Sequence, residues 1–284
     1  MSPEVGQLDA DALARLLAAD PDAAAALLAD LSQATDAELR AVARQLAARI
    51  FIQLGAAGRQ SAHGPRRIRT SARADGDVDL DRTLDRASGA WPPPGDDIVT
   101  RSWHAHRRSV CLLVDSSGSM SGLALAMAAV ASASVLLAAD SRLDTGVLAF
   151  SSDVTVLQPP GSRTAPEVLV GQLLGLRGHG MTNLAGALRA AARQLAAGRD
   201  GSAAGERCVV LLSDCLSTAG GDPATSLAGI DRVDVLCPLP AGTEPQPGSI
   251  DAAARIARLG GGTSQAIRTL ADIPAALTAL LSGS

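Results

Sequence analysis

The sequence predicts an α/β protein with a doubly wound, mainly parallel sheet flanked by helices and preceded by a small N-terminal helical region. From residue 108 onward, short apolar runs alternate with longer segments of helical periodicity, which is typical of strands joined by covering helices. Before residue 55 the apolar pattern has only the helical period. Hydrophobic residues make up 47% of the 284 residues, which is enough for the core of one sizeable domain with a smaller element.

Residues 1–54 are predicted to form the helical region. Asp20 followed by Pro21 has the form of an N-cap and first helical position, so a second helix should begin there. Thr35 and Glu38 have the spacing of a capping box, which predicts the start of a third helix. These short helices could form a small bundle or pack on the main domain.

Residues 55–97 are predicted to be a tether that leads to the main domain, residues 98–284. Glycine and proline punctuate this segment, and a block of arginines at 59–73 precedes a block of aspartates at 75–85. The favoured interpretation is a solvated segment that pairs with itself, and the alternative is a docking arm for a charged partner.

The main domain alternates between predicted strands and helices. Predicted strands cover residues 109–114, 144–150, 154–157, 208–212, 233–237 and 263–267, the last as an edge strand, and predicted helices cover 123–139, 166–174, 183–197, 250–259 and 273–281. The first strand is a continuous apolar run, as expected for a strand buried on both faces. His104 and His106 lie just before it, where a solvated edge strand is favoured over a zinc site because no third ligand is nearby.

Hydroxyl and carboxylate side chains follow these strands at three places. A D-x-S-x-S pattern comes directly after the first strand, a threonine precedes a helix, and an aspartate ends a second buried strand; its residues are Asp115, Ser117, Ser119, Thr182 and Asp214. Taken singly, each could be a turn residue, a helix N-cap or a loop acid. Their common location at the ligand-binding edge of an α/β sheet favours a shared site.

This set of residue types suits a hard divalent cation. Mg²⁺ prefers six oxygen ligands in octahedral geometry and keeps several waters. Two carboxylates and three hydroxyls leave room for waters and for one exchangeable ligand.

The three elements and their order resemble the von Willebrand factor A (VWA) and integrin I-type domains, over about residues 107–284. The resemblance implies that the matching residues form a metal-ion-dependent adhesion site for Mg²⁺ or Mn²⁺. These residues are Asp115, Ser117, Ser119, Thr182 and Asp214.

Within that family, the layout is similar to the bacterial CoxE-like VWA proteins, which have a helical region ahead of the VWA domain. The stretch from Leu80 to Arg86 is a rough counterpart of their R-R-T-L-R segment. The resemblance implies a MoxR-type AAA+ ATPase, or its client, as the partner. Related pairs insert metals or remodel target enzymes, with the VWA protein as adaptor.

Two classes of function remain open from the sequence. The favoured one is a non-enzymatic adaptor that binds a partner's carboxylate through the cation. The alternative is a metal-dependent hydrolase that uses the cation as a Lewis acid, with His179 as the candidate general base. The three glycines at 260–262 do not form a phosphate loop, because no Lys-Ser/Thr follows them.

Composition excludes several other classes. The chain has no Tyr, two Phe, two Trp and a formal net charge of −4, which argues against nucleic-acid partners. Apolar stretches are broken before they could span a bilayer, so membrane insertion is not expected. The four cysteines form no C-x-x-C pair, and no export signal is apparent, so reduced, buried thiols and a cytoplasmic location are expected.

Overall fold

The computed structural model describes residues 9–34, 36–57, 66–71, 77–87, 95–105, 108–118, 122–140, 143–176, 180–197, 205–240 and 244–282. The chain divides into two compact units. The larger unit combines Met1–Ala62 with Arg108–Ser284, and the smaller unit is His63–Arg107.

The described strands form one sheet in each unit. In chain order they are β1 (Arg66–Ser71), β2 (Asp77–Val78), β3 (Thr100–Ala105), β4 (Arg108–Asp115), β5 (Leu143–Phe150), β6 (Val154–Gln158), β7 (Glu206–Leu212), β8 (Arg232–Pro238) and β9 (Gly261–Ile267). The described helices are α1 (Ala10–Ala19), α2 (Pro21–Leu31), α3 (Ala37–Ala56), α4 (Leu80–Arg86), α5 (Leu123–Ala138), α6 (Pro166–Gly175), α7 (Leu184–Ala197), α8 (Ser249–Leu259) and α9 (Asp272–Ser282).

The sheet of the larger unit has the order β6-β5-β4-β7-β8-β9. All neighbouring strands are parallel except β6, which runs antiparallel to β5. The chain builds outward from β4 to one side and then returns to build outward on the other, so the order reverses between β4 and β7. The predicted doubly wound, mainly parallel sheet is confirmed, including β9 as an edge strand.

Alternate residues of the central strands enter two separate cores. In β4, Val110 and Leu112 pack with α5, α6 and α9 on one face, and Cys111 and Leu113 pack with α7 and α8 on the other. Successive side chains of a strand point to opposite faces, so an uninterrupted apolar run is what a sheet covered on both sides requires.

The N-terminal helices belong to the larger unit. Helices α2 and α3 pack on α5, and Phe51 of α3 is fully buried in the same core as β4. These helices pack there because α5 is apolar on every side, and its residues from Leu125 to Val135 are all buried. Such a helix needs other helices to cover the side that faces away from the sheet. Packing on the main domain is one of the two arrangements that the sequence left open for residues 1–54, and the larger unit resumes at Arg108 rather than at residue 98, where the main domain was predicted to begin.

Helix caps follow local sequence closely. Asp20 caps α2 as predicted, with its carboxylate accepting a hydrogen bond from the Ala23 amide at 3.0 Å. The N-cap of α3 is Asp36, which accepts from the Leu39 amide at 2.8 Å. The predicted cap, Thr35, lies outside the described residues, and aspartate fills this role as well as threonine does.

The smaller unit contains regular structure where the sequence predicted a tether. Its sheet has the order β1-β3-β2 with antiparallel pairing. His104 lies on β3 opposite Arg67 of β1, beyond the two residues that pair with β2, and His106 lies outside the described residues. The arginine block supplies β1, the partner that local composition did not reveal. Asp79, from the acidic block, is buried as the N-cap of α4 and is therefore not a solvated charge.

Two further expectations concern cysteines and membranes. All four cysteines are buried free thiols, as predicted. In the described part of the chain, no helix combines the length and the apolar character needed to cross a bilayer.

Candidate metal centre

The candidate site lies at the carboxyl ends of β4 and β7, where the strand order reverses. Asp115 is the last residue of β4, and Asp214 comes two residues after the end of β7. The two strands are parallel neighbours, with Val114 opposite Leu212. Ligands of open α/β sheets bind in the crevice at such a switch point.

Asp115 is held by hydrogen bonds from two sides. Its Oδ1 accepts from the Ser117 amide at 2.8 Å, and its Oδ2 accepts from the Ser213 hydroxyl at 2.7 Å. Asp115 and Ser117 are only 1% and 3% exposed. Asp214 is half-buried, and its Oδ1 accepts from the Leu216 amide at 3.0 Å.

Burial dominates the electrostatics of both carboxylates. It raises the pKa of Asp115, against the lowering effect of the hydrogen bonds from Ser213 and Ser117, and the nearby charge of Asp214 raises the pKa slightly further. Burial also raises the pKa of Asp214, and the hydrogen bond from Leu216 opposes that rise. Burial is thus the main influence on both groups, and the charge of Asp214 is a minor one on Asp115.

Thr182 reaches the same end of the sheet through its backbone. Its amide donates to the Thr218 hydroxyl at 2.8 Å, and its carbonyl accepts from the Thr218 amide at 3.0 Å. The Ser217 hydroxyl also donates to that carbonyl, at 3.1 Å. The loop before α7 is therefore joined to the loop after β7, which contains Asp214.

Thr182 is not the N-cap of α7. That role belongs to Asn183, whose Oδ1 accepts from the Gly186 amide at 2.8 Å. Gly220 lies against the Asn183 side chain, so closely that an added Cβ would overlap Asn183 Oδ1. Its φ of +86° also favours glycine at this position. The side chain of Thr182 is 6% exposed, and the helix-cap explanation for this residue no longer applies.

The structure brings four of the five predicted residues to one place. The loops that contain Asp115, Ser117, Thr182 and Asp214 are joined by the hydrogen bonds described above. Ser119 lies outside the described residues, as does His179, the candidate base of the hydrolase alternative.

Sequence reasoning missed the residues that hold these loops together. Ser213 donates to Asp115 and also accepts from the Cys215 amide at 2.9 Å, while Thr218 holds Thr182. Ser213 could have been noticed as a hydroxyl directly before Asp214 at the end of a buried strand. Thr218 gives no comparable indication, because only the folded loop brings it to Thr182.

The side chains fit a hard divalent cation. Within the described ranges, neither Asp115 nor Asp214 forms an ion pair with a basic side chain, and buried carboxylates need a compensating charge. No group of three or more His, Cys, Asp or Glu side chains among the described residues is arranged to hold a metal. Carboxylates with hydroxyls, the oxygen ligands of Mg²⁺ and Mn²⁺, are therefore the donors that this site offers.

Comparison with solved structures returns alignments over part of the chain. A von Willebrand factor type A protein from Catenulispora acidiphila aligns with TM-score 0.48 and 21% identity over 65% of this chain and 44% of that chain. An aerotolerance-related membrane protein from Bacteroides fragilis aligns with TM-score 0.47 and 20% identity over 62% of this chain and 100% of that chain. Proximal thread matrix protein 1 from the mussel byssus, with a zinc-occupied MIDAS motif, aligns with TM-score 0.48 and 15% identity over 62% of this chain and 47% of that chain.

Family comparison is more specific. No curated protein matches the chain. The family model for VWA domain containing CoxE-like proteins matches residues 52–268, which is well over half of the 284 residues. The match begins inside α3 and extends through the small unit to the end of β9. The chain therefore belongs to the family of VWA domain containing CoxE-like proteins.

Proposed function

We propose that this protein is a non-enzymatic adaptor that binds a partner protein through a divalent cation, Mg²⁺ or Mn²⁺. Family membership supports a role in protein interaction or adhesion. The proposed ligands, directly or through water, are Asp115, Ser117, Ser119, Thr182 and Asp214. The observation that carries the proposal is the buried Asp115 carboxylate beside the half-buried Asp214 at the strand switch point, neither of which has a basic partner among the described residues.

The donor set favours an exchangeable protein ligand on the cation. Hydroxyls are neutral, and the hydrogen bonds donated to Asp115 by Ser117 and Ser213 withdraw part of its negative charge. A cation held in this way keeps positive charge facing the open end of the sheet. A carboxylate from another protein is the complementary ligand.

The partner that we propose is an AAA+ ATPase of the MoxR type or its client. The similarity of the chain to CoxE-like proteins motivates this choice, and the lack of a phosphate-loop sequence means that energy for remodelling would come from another subunit. Buried free thiols fit a reducing compartment, so we propose that the adaptor acts in the cytoplasm.

Metal binding is the direct test of the cation site. Calorimetry should show Mn²⁺ binding by the intact chain and its loss in Asp115→Ala, because one of two charged ligands is gone. Asp222→Ala, which removes an exposed aspartate paired with Arg255, is the matched control and should bind as the wild type does. Equal Mn²⁺ affinity in a folded Asp115→Ala variant and the wild type would refute the assignment.

Partner binding tests the adaptor role. The tagged protein, purified from its host with Mg²⁺ present, should bring down an AAA+ ATPase, and EDTA, Ser117→Ala or Thr182→Ala should abolish this association. Mass spectrometry of the eluate identifies the partner. Recovery of the same ATPase with EDTA and from both variants would show that the cation is not the docking point.

A further inference from the structure

The C-terminal end of α2 contacts the chain at Gly122, between the first cation-site residues, Asp115 and Ser117, and the start of α5. The Asp30 side chain accepts a hydrogen bond through Oδ1 from the Gly122 amide at 3.0 Å. Gly122 is the N-cap of α5 and supplies no side-chain cap of its own, and its φ of +54° favours glycine. Asp30, from a helix far away in sequence, thus satisfies the amide of the residue at which α5 begins, where the loop from Asp115 ends.

The same end of α2 contacts the segment that leads to Thr182. The side-chain amide of Gln33 donates to the carbonyls of Leu174 and Leu176, at 2.5 Å and 2.9 Å. These carbonyls lie at the end of α6, directly before the chain continues towards Thr182. Two loops of the cation site are therefore attached at their outer ends to one short segment.

That segment is itself fixed to the core. Ser32 is fully buried, its hydroxyl donates to the Ala29 carbonyl at 2.6 Å, and its carbonyl accepts from Arg44 Nε at 3.0 Å. Leu28, one turn earlier, is also fully buried. The backbone at the end of α2 is therefore fixed to the core, although Asp30 itself and its hydrogen bond with Gly122 are exposed to solvent.

We infer that Asp30 and Gln33 are positioning residues for the cation site, so that the N-terminal helices set its affinity. The inference rests on the proposed function. Metal affinity depends on ligands that are held in place before the metal arrives, and removing an outer supporting contact weakens it. Through this connection, a protein that binds and shifts the N-terminal helices would change cation binding at the far end of the sheet.

The test compares two aspartates of the same helix. Asp22 lies at the other end of α2, and its carboxylate accepts from the Leu270 amide at 3.0 Å, so Asp22→Ala removes the same kind of contact away from the site. Asp30→Ala should weaken Mn²⁺ binding by roughly three- to tenfold, somewhat less than the loss of a contact directly behind a ligand. Asp22→Ala should leave the affinity within about twofold of wild type, since its contact lies outside the supporting shell.

A conservative variant separates positioning from general stability. Asp30→Asn retains a side-chain oxygen that can accept from Gly122, and asparagine caps helices about as well as aspartate, so this variant should restore Mn²⁺ affinity to near the wild-type value. Gln33→Ala should weaken binding in the same direction as Asp30→Ala. Mn²⁺ affinities that are equal in Asp30→Ala and Asp22→Ala would overturn the inference.

Hydrogen exchange distinguishes failure of this inference from failure of the proposed function. If the wild type itself does not bind Mn²⁺, the proposed cation function fails, and the positioning role is then judged on the metal-free protein. Peptides that cover residues 116–126 should exchange faster in Asp30→Ala than in Asp22→Ala. Equal exchange in the two variants would overturn the positioning role as well.

Discussion

Ser213 joins the two strand ends of the cation site through its side chain. Its hydroxyl donates to Asp115 and accepts from the Cys215 amide, and the side chain is fully buried. Cys215 has φ +60°, a left-handed conformation that is uncommon for a residue other than glycine. The hydrogen bond to Ser213 is thus one of the contacts that hold this turn and aim Asp214.

Removing that hydroxyl should affect both stability and metal binding. Ser213→Ala removes one hydrogen bond from a buried carboxylate and one from a buried amide, and we expect it to lower the free energy of unfolding by about 1–3 kcal/mol. Mn²⁺ affinity should fall by roughly tenfold, because Asp115 loses a supporting contact. Chemical denaturation and calorimetry measure the two effects.

Ser134→Ala is the matched control for this change. Ser134 is also buried, but its hydroxyl donates to the Val130 carbonyl one turn earlier in α5, which already accepts a helical hydrogen bond. Its removal should cost less than about 0.5 kcal/mol, since no buried group loses its last partner. A Ser213→Ala variant as stable as Ser134→Ala, with unchanged Mn²⁺ affinity, would contradict the bridging role.

At the scale of elements, the start of α9 depends on one carboxylate. Asp272 Oδ2 accepts from the Thr269 amide at 2.9 Å and from the Arg268 amide at 3.1 Å. The hydrogen bond from Thr269 is the main cause that lowers the pKa of Asp272 below its ordinary value of 3.8. The charged form is thus favoured in the folded protein, as expected for an acid at a helix N-terminus.

This shift fixes the sign of a pH effect on stability. Between the lowered pKa of the folded protein and the ordinary value of 3.8, the Asp272 carboxylate is protonated more readily in the unfolded chain than in the folded protein. The contribution of Asp272 to folding stability is therefore complete at pH values above this range, and it is lost as the pH falls through the range. The difference in melting temperature between wild type and Asp272→Ala should therefore be largest near neutral pH and shrink below about pH 4. Thermal unfolding from pH 3 to pH 7 measures it, with Asp251→Ala on α8 as the control for loss of a surface charge.

At the scale of the whole molecule, the larger unit is assembled from two distant parts of the chain. Helices α2 and α3 cover α5, and α5 in turn covers the sheet. A fragment that starts at residue 108 would leave the outer side of α5 exposed to water, where large apolar surfaces promote association.

We therefore expect residues 108–284 expressed alone to be molten or aggregated. Near-UV circular dichroism and binding of a hydrophobic dye measure this. Phe51→Ala in the full chain tests the same contact and should cost about 3–5 kcal/mol, as for other buried aromatic residues. Val42→Ala, on the same helix but 46% exposed, should cost less than about 0.5 kcal/mol. A fragment that unfolds cooperatively with wild-type stability would show that the helices are dispensable.

Local patterns were sufficient for most of the larger unit. The apolar run before Asp115 predicted β4, and Asp20 with Pro21 predicted the start of α2, because burial on both faces and helix capping are written in adjacent residues. The same holds for the placement of Asp115, Thr182 and Asp214 at strand ends or helix starts, since the carboxyl ends of parallel strands share one edge.

Contacts between distant parts of the chain were decided only by the tertiary structure. The hydrogen bonds from the Gly122 amide to Asp30 and from the Thr182 amide to Thr218, and the pairing of β1 with β3, each join segments that are separate in sequence. Polar residues such as Asp30 and Thr218 have the same local appearance whether they face water or hold a loop. The sequence by itself therefore determined the sheet, its covering helices and the residue types at its edge. Only the folded chain determined which helices cover α5 and which side chains hold the site, because those choices depend on what each group meets in space.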